Sequence, residues 1–267
     1  MLKNRIATAV IGAPLTLFFV FLGSKWFFIF LLLISYFALF EYFYLLQKMG
    51  ASPLLKKFFY FAFAVIFFLL LFTYQGWYTG HAILLIVFIV LLNIFYLIIF
   101  PDVKLWELAL ILWGIIYIGG FMAYLLALRQ LPEGLSYLLL LIFGIWASDT
   151  GAYFIGLSFG KHRLAPRISP KKSLEGAAGG VVVSAIAIET LIKFSPFPLI
   201  PTGHGLLWGA IISVLGQLGD LIESAYKREA QVKDSGVILP GHGGILDRLD
   251  SLLFAAPVFY YAVLIFL

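Results

Sequence analysis

The segment GQLGDLIESAYKR, residues 216–228, sets five reactive side chains in a helical rhythm. Asp220, Glu223, Ser224, Lys227 and Arg228 stand at offsets of three, four, seven and eight from the first. On an α-helix these offsets share one face. The stripe starts with a carboxylate among apolar residues and ends with two cations about 10 Å further along the axis. Just downstream, PGHGGILDRLD (240–250) joins a Gly-rich turn to Asp247 and Asp250, which are three apart and share a face in turn. The glycines permit backbone geometries that expose successive N–H groups. Carboxylates in a chain without cysteine suit a hard cation such as Mg2+, which takes one or two carboxylates and completes its shell with water and phosphate oxygens. His242 alone argues little for a transition metal.

Two upstream segments carry related chemistry. WASDTGAYFIGLSFG (146–160) places Asp149 in an apolar run, followed by Gly151, Gly156 and Gly160. Asp149 is either a cation ligand or a locally hydrogen-bonded group at a tight crossing, since glycines at this spacing admit another helix or a ligand. GKHRLAPRISPKKSLEGAAGG (160–180) gathers Lys161, Arg163, Arg167, Lys171 and Lys172, and Pro166 and Pro170 prevent a single helix. Ser173 is positioned to N-cap the next helix, with Glu175 in its first turn. Helix starts present N–H groups to anions, so the segment reads as a phosphate cradle or as an ordinary solvated basic loop. Carboxylates at membrane depth, a basic surface and a Gly-rich turn together fit phosphoryl or nucleotidyl transfer on a membrane lipid. Such chemistry rests on positioning and charge neutralisation, and no Ser-His-Asp triad is found.

The elements that must hold these residues are membrane spans. Of 267 residues 63% are hydrophobic and 12% charged, too few charges for a soluble domain of this length. Runs such as AILLIVFIVLLNIFYLIIF are too continuous for surface helices. The chain is expected to be an all-α, polytopic integral membrane protein of about nine transmembrane helices, near 7–24, 26–47, 58–75, 79–100, 105–128, 136–159, 174–194, 204–226 and 250–267. The start Met1-Leu2-Lys3-Asn4-Arg5 precedes a retained first helix rather than a cleaved signal. With the N-terminus in the cytoplasm, all the Lys and Arg except Lys25, Arg129 and Lys193 fall on the inner side, as the positive-inside rule asks. The net charge of +5 follows from topology or from an anionic substrate or lipid at the inner face. Residues 1–135 read as transmembrane scaffold, and 136–267 as the catalytic region with its loops. Glu41 and Glu189, acids within apolar spans, are further functional candidates.

The polar positions resemble a known signature. Ser224, Lys227-Arg228, Lys233-Asp234, His242-Gly243-Gly244, Asp247-Arg248 and Asp250 match, with the same spacing, that of the phosphatidate cytidylyltransferases (CDP-diacylglycerol synthases). Tyr226 departs from the aliphatic residue or Phe usual there. SDTGAYFIG and FGKHRLAPRISPKKSLEG are similar to that family too, so the likeness covers about 145–250. The resemblance implies an Mg2+-dependent transfer of cytidylyl from CTP to phosphatidate, giving CDP-diacylglycerol and pyrophosphate, in the inner membrane with the site facing the cytoplasm. A second cation and a homo-oligomer are compatible with it, and no nucleic-acid partner is implied. It assigns Asp220 and Asp247 to the cation, with Asp149 and Asp250 beside them. It gives Lys171, Lys172, Lys227, Arg228 and Arg248 to phosphates, and Lys161, Arg167, Ser173, Ser224, His242, Gly243 and Gly244 to substrate binding. Two rivals remain at this stage: a CTP-dependent lipid kinase, and a transporter whose intramembrane acids form a cation path.

Overall fold

The computed structural model describes residues 2–194, 204–239 and 243–266, with side chains from Val10 onward. Among the described residues ten α-helices carry the fold: α1 Leu2–Leu22, α2 Ser24–Lys48, α3 Phe59–Tyr74, α4 Thr79–Ile99, α5 Leu105–Gly114, α6 Phe121–Gln130, α7 Gly134–Phe159, α8 Leu174–Phe194, α9 Gly205–Glu229 and α10 Leu246–Phe266. A 3-10 turn, Pro53–Phe58, leads into α3, and a π-helical turn, Ile115–Gly120, joins α5 to α6. Among the described residues, eight helices are long and apolar enough to cross a bilayer, α5 and α6 counting as one. A shorter apolar stretch, Val10–Leu22, precedes them. The expected polytopic all-α architecture is therefore present.

The chain forms two compact units. The first holds residues 1–127 and 229–248, the second 128–228 and 249–267. Residues 229–239 and 243–248 thus group with the first unit.

In the first unit, aromatic edges knit α2 to α3: Tyr36 meets Phe59 and Phe63 at centroid separations of 5.3 and 5.2 Å. The π turn is closely packed against α2 and α3. Gly114 lies against the Tyr42 ring and Gly119 against Ile66, where a Cβ would come within 2.6 Å of the Ile66 side chain. The Tyr42 hydroxyl donates to the Leu110 carbonyl at 2.9 Å. The buried Glu107 carboxylate accepts from the backbone N–H of Lys104 at 2.6 Å and also from that of Ser52, so one side chain caps α5 and ties down the preceding turn. Helix α4 is apolar all round and little covered by protein, as expected for a lipid-facing span.

In the second unit, α7 and α8 pack through glycines. A Cβ at Gly151 would lie 2.6 Å from Val183, and one at Gly176 would lie 2.8 Å from the Ala152 carbonyl. The glycines after Asp149 thus admit a neighbouring helix. Hydrogen bonds bind α9 to this pair. Ser148 and Ser213 hydroxyls are 2.7 Å apart, and Gln217 Nε2 donates to Ser213 and to the Ala177 carbonyl. Ser184 Oγ lies 2.9 Å from the carbonyls of both Gly144 and Gly209. Gly219 of α9 sits against the backbone of Asp250 and the side chain of Phe254 on α10.

Two boundaries differ from the sequence expectation in ways that matter for the site. Helix α10 starts at Leu246, four residues before the expected span, so Asp247 and Asp250 are both helical. The basic segment after α7 is a β-hairpin, β1 Arg163–Ala165 with β2 Ser169–Ser173, antiparallel, with Arg163 opposite Ser173 and Ala165 opposite Ser169. Pro166 falls in the turn, and Pro170 is tolerated because each strand of a two-stranded ribbon has an open edge.

Candidate active site

Helix α9 carries the predicted stripe as one face. The hydroxyl of Ser224 donates to Asp220 Oδ1 at 3.2 Å, one turn apart. Lys227 forms an ion pair with Glu223, also one turn apart, and both are buried. Lys172, from the end of β2, places Nζ 2.7 Å from Asp220 Oδ2. Asp250 is buried on α10 and accepts from the Ser251 N–H at 2.6 Å. It lies within electrostatic range of Asp220, Lys227 and Asp149. Asp149 is exposed on α7. The second unit therefore carries Asp149 on α7, Asp220 on α9 and Asp250 on α10, with Lys172 against Asp220 and Lys227 against Glu223.

The hairpin is anchored to this cluster. Arg228 Nε donates to the Ile168 carbonyl at 2.9 Å, holding the hairpin turn at the end of α9. Ser173 Oγ accepts from Gly176 N–H at 3.1 Å, the N-cap bond expected for α8. Glu175 folds back over that helix start. Its carboxylate accepts from the Lys161 and His162 N–H groups, and Oε1 lies 2.6 Å from His162 Nδ1. This start of α8 thus already holds an anion from its own first turn. Lys161, Arg167 and Lys171 project as exposed side chains.

The first unit holds the other signature residues. Asp247 Oδ2 accepts from Ser235 N–H at 2.9 Å and from Gly244 N–H at 2.7 Å, and lies 3.0 Å from Ser235 Oγ. Gly243 has φ +81°, in the region that favours glycine. The sequence reading aims the Gly243-Gly244 backbone at substrate, whereas the Gly244 N–H is directed to Asp247. Arg248 is exposed. His242 lies outside the described residues. Glu41 of α2, set aside above for its carboxylate alone, meets this turn. Oε1 accepts from Ile245 N–H at 2.9 Å, and Oε2 from Leu246 N–H at 2.8 Å and Ser235 Oγ at 3.1 Å. An open cavity of about 420 Å³ lies against the same place, lined by Phe40, Glu41, Tyr44, Lys233, Asp234 and Val237. Nothing in local spacing points from Glu41 to its partners; only its acidity in an apolar span marks it.

Among the described residues, no three His, Cys, Asp or Glu side chains converge as a ready-made metal cage. The donor chemistry still fits a hard divalent cation, because Asp220 and Asp250 offer carboxylate oxygens and such an ion draws its remaining ligands from water and phosphate. Lys172 then stands as the resident counter-charge of Asp220.

Eight long apolar helices among the described residues define a multi-pass membrane protein. A sequence model of the cytidylyltransferase family matches residues 3–266, nearly end to end, and the chain belongs to that family. It is 38% identical over 270 residues to a phosphatidate cytidylyltransferase of Bacillus subtilis, covering 99% of this chain and 98% of that one. It is 48% identical over 153 residues to the phosphatidate cytidylyltransferase of Staphylococcus haemolyticus, and 45% identical over 155 residues to that of Staphylococcus aureus, 57% of each chain in both cases. A divalent cation is a general partner of nucleotidyl transfer.

Proposed function

We propose that the chain transfers the cytidylyl group of CTP to phosphatidate, giving CDP-diacylglycerol and pyrophosphate in phospholipid biosynthesis. The observation that carries this reading is the α9 face of Asp220, Ser224 and Lys227, with Lys172 against it, in a chain similar over almost its full length to a phosphatidate cytidylyltransferase. A phosphate oxygen of phosphatidate attacks the α-phosphorus of CTP. The bond from that phosphorus to the bridging oxygen of the β-phosphate breaks, and pyrophosphate leaves. The attacking group is already an anion at neutral pH, so no strong general base is needed. The obstacle is bringing two polyanions together.

The residues answer that obstacle. Lys171, Lys172, Lys227, Arg228 and Arg248 are assigned to phosphates, where fixed cations offset repulsion and stabilise the charge that develops on pyrophosphate. Lys161 and Arg167 add to the basic surface that draws anions in. Asp220 and Asp250 are assigned to Mg2+, with Asp149 beside them. When bound, the ion screens the phosphate charge and polarises the phosphorus under attack. Ser224 orients Asp220. With a cation held by Asp220, Lys172 would be released to contact a phosphate. We assign Asp247 to the Gly-rich turn, whose Gly244 N–H it already holds, and Ser173 to the α8 cap. The acyl chains stay in the bilayer, and the site faces the cytoplasm in the inner membrane, in keeping with the Lys and Arg distribution.

The test uses purified protein with phosphatidate, Mg2+ and CTP labelled at the α or the γ phosphate. α-Label in the extracted lipid is the expected result. γ-Label alone means a lipid kinase. Neither label, in protein shown to be folded, overturns the enzymatic reading and leaves transport to be tested.

A further inference from the structure

We propose that Glu41 is a positioning residue for this reaction, holding the Gly-rich turn and the first turn of α10 in the register that the signature residues need. The inference rests on the reading of the chain as a CTP-using enzyme. Glu41 is 2% exposed, and its two oxygens accept from three groups of one loop, 194 to 205 residues away. Two of the donors, Ile245 and Leu246 N–H, belong to the start of α10, where N–H groups have no partner within the helix. The third is the Ser235 hydroxyl, which lies 3.1 Å from Glu41 and 3.0 Å from Asp247. One hydroxyl proton serves one carboxylate at a time, so Ser235 links the two acids. The glycines agree with this closure. A Cβ at Gly236 or Gly244 would overlap the Glu41 carboxylate, so the chain closes over that group only where side chains are missing.

The arrangement requires a group that only accepts. Glutamine keeps the shape but turns an NH2 toward at least one of the backbone donors, leaving a buried N–H opposed. The loop then relaxes away from α2, carrying Ser235, Gly243-Gly244 and the Asp247 carboxylate with it. A purely structural strut would behave otherwise, lowering stability without touching turnover. Glu107 supplies that comparison, being a buried carboxylate of the same unit that caps α5 and holds the Ser52 turn.

The experiment measures CTP turnover and thermal midpoint for wild type, Glu41→Gln, Glu41→Asp, Ser235→Ala and Glu107→Gln in mixed micelles containing phosphatidate. Glu41→Gln is expected to lower kcat about 10- to 100-fold, the scale of lost supporting hydrogen bonds around a site, with KM for phosphatidate little changed. Glu41→Asp recovers part of the loss. Ser235→Ala, which leaves both backbone bonds to Glu41, loses less in the same direction. Glu107→Gln lowers the midpoint and keeps kcat. Wild-type kcat in Glu41→Gln overturns the proposal, as does wild-type kcat in Ser235→Ala should Glu41→Gln fail to fold. If the wild type itself does not turn over CTP, the enzymatic reading fails and the positioning role of Glu41 with it. Hydrogen exchange at Gly244, Ile245 and Leu246, slow in wild type and faster in Glu41→Gln, reports the contact separately.

Discussion

Asp220 in the second unit meets both Lys172 and Ser224, and buried Asp250 lies within its electrostatic reach. Asp220→Asn keeps the volume and removes the charge. Turnover should fall by roughly 100-fold or more, the scale of losing one preorganised electrostatic group, while thermal stability stays close to wild type. A variant with ordinary kcat removes Asp220 from the cation site. Lys172→Met is a different experiment. It deletes the counter-charge of Asp220, so affinity for CTP should weaken by about 10- to 100-fold, the value of one charge-assisted hydrogen bond, as read from KM. An unchanged KM means that Lys172 serves Asp220 alone.

At the scale of the elements, the pairing of α7 with α8 sets the place of Asp149. Gly151 and Gly176 leave no room for side chains. Gly151→Leu should destabilise the fold by about 1–3 kcal/mol through overpacking, visible as a lower midpoint in thermal unfolding. Gln217→Leu removes hydrogen bonds that tie α9 to its neighbours, and about 0.6 kcal/mol is expected for an interhelical bond in a bilayer. The glycine effect should therefore exceed the glutamine effect. The reverse order would mean that polar contacts, not close approach, hold this bundle.

For the whole molecule, the question is sidedness. The chain has no cysteine, so single cysteines report topology without background. Cysteine at Lys57 or Lys161 should react with a membrane-impermeant thiol reagent only from the inner side of oriented vesicles, and cysteine at Lys25 only from the outer side. Labelling of Lys25→Cys and Lys161→Cys from the same side would overturn the topology drawn from Lys and Arg. Much of this scale was legible beforehand. The class of protein followed from runs of apolar residues, because a bilayer allows few ways to satisfy a buried backbone. The expected span 174–194 coincides with α8, whose start Ser173 and Glu175 mark. The start of α10 was missed by four residues, since Leu246-Asp247-Arg248 is too polar to read as a span.

Local sequence thus determined the membrane class, the spans and the face of α9, since each depends on neighbours within a turn or two. It also marked Asp149 and Asp220 as candidates by the cost of a carboxylate among apolar side chains, and Asp247 and Asp250 by their spacing. Tertiary structure alone decided that Glu41 grips the turn before α10, that the Gly244 N–H belongs to Asp247, and that residues 229–239 and 243–248 group with the first unit. Periodicity shows which face a side chain shares, but not which distant backbone donors will meet it. For a buried carboxylate the choice is made by packing, where unpartnered N–H groups and missing Cβ atoms leave a space of its size and charge.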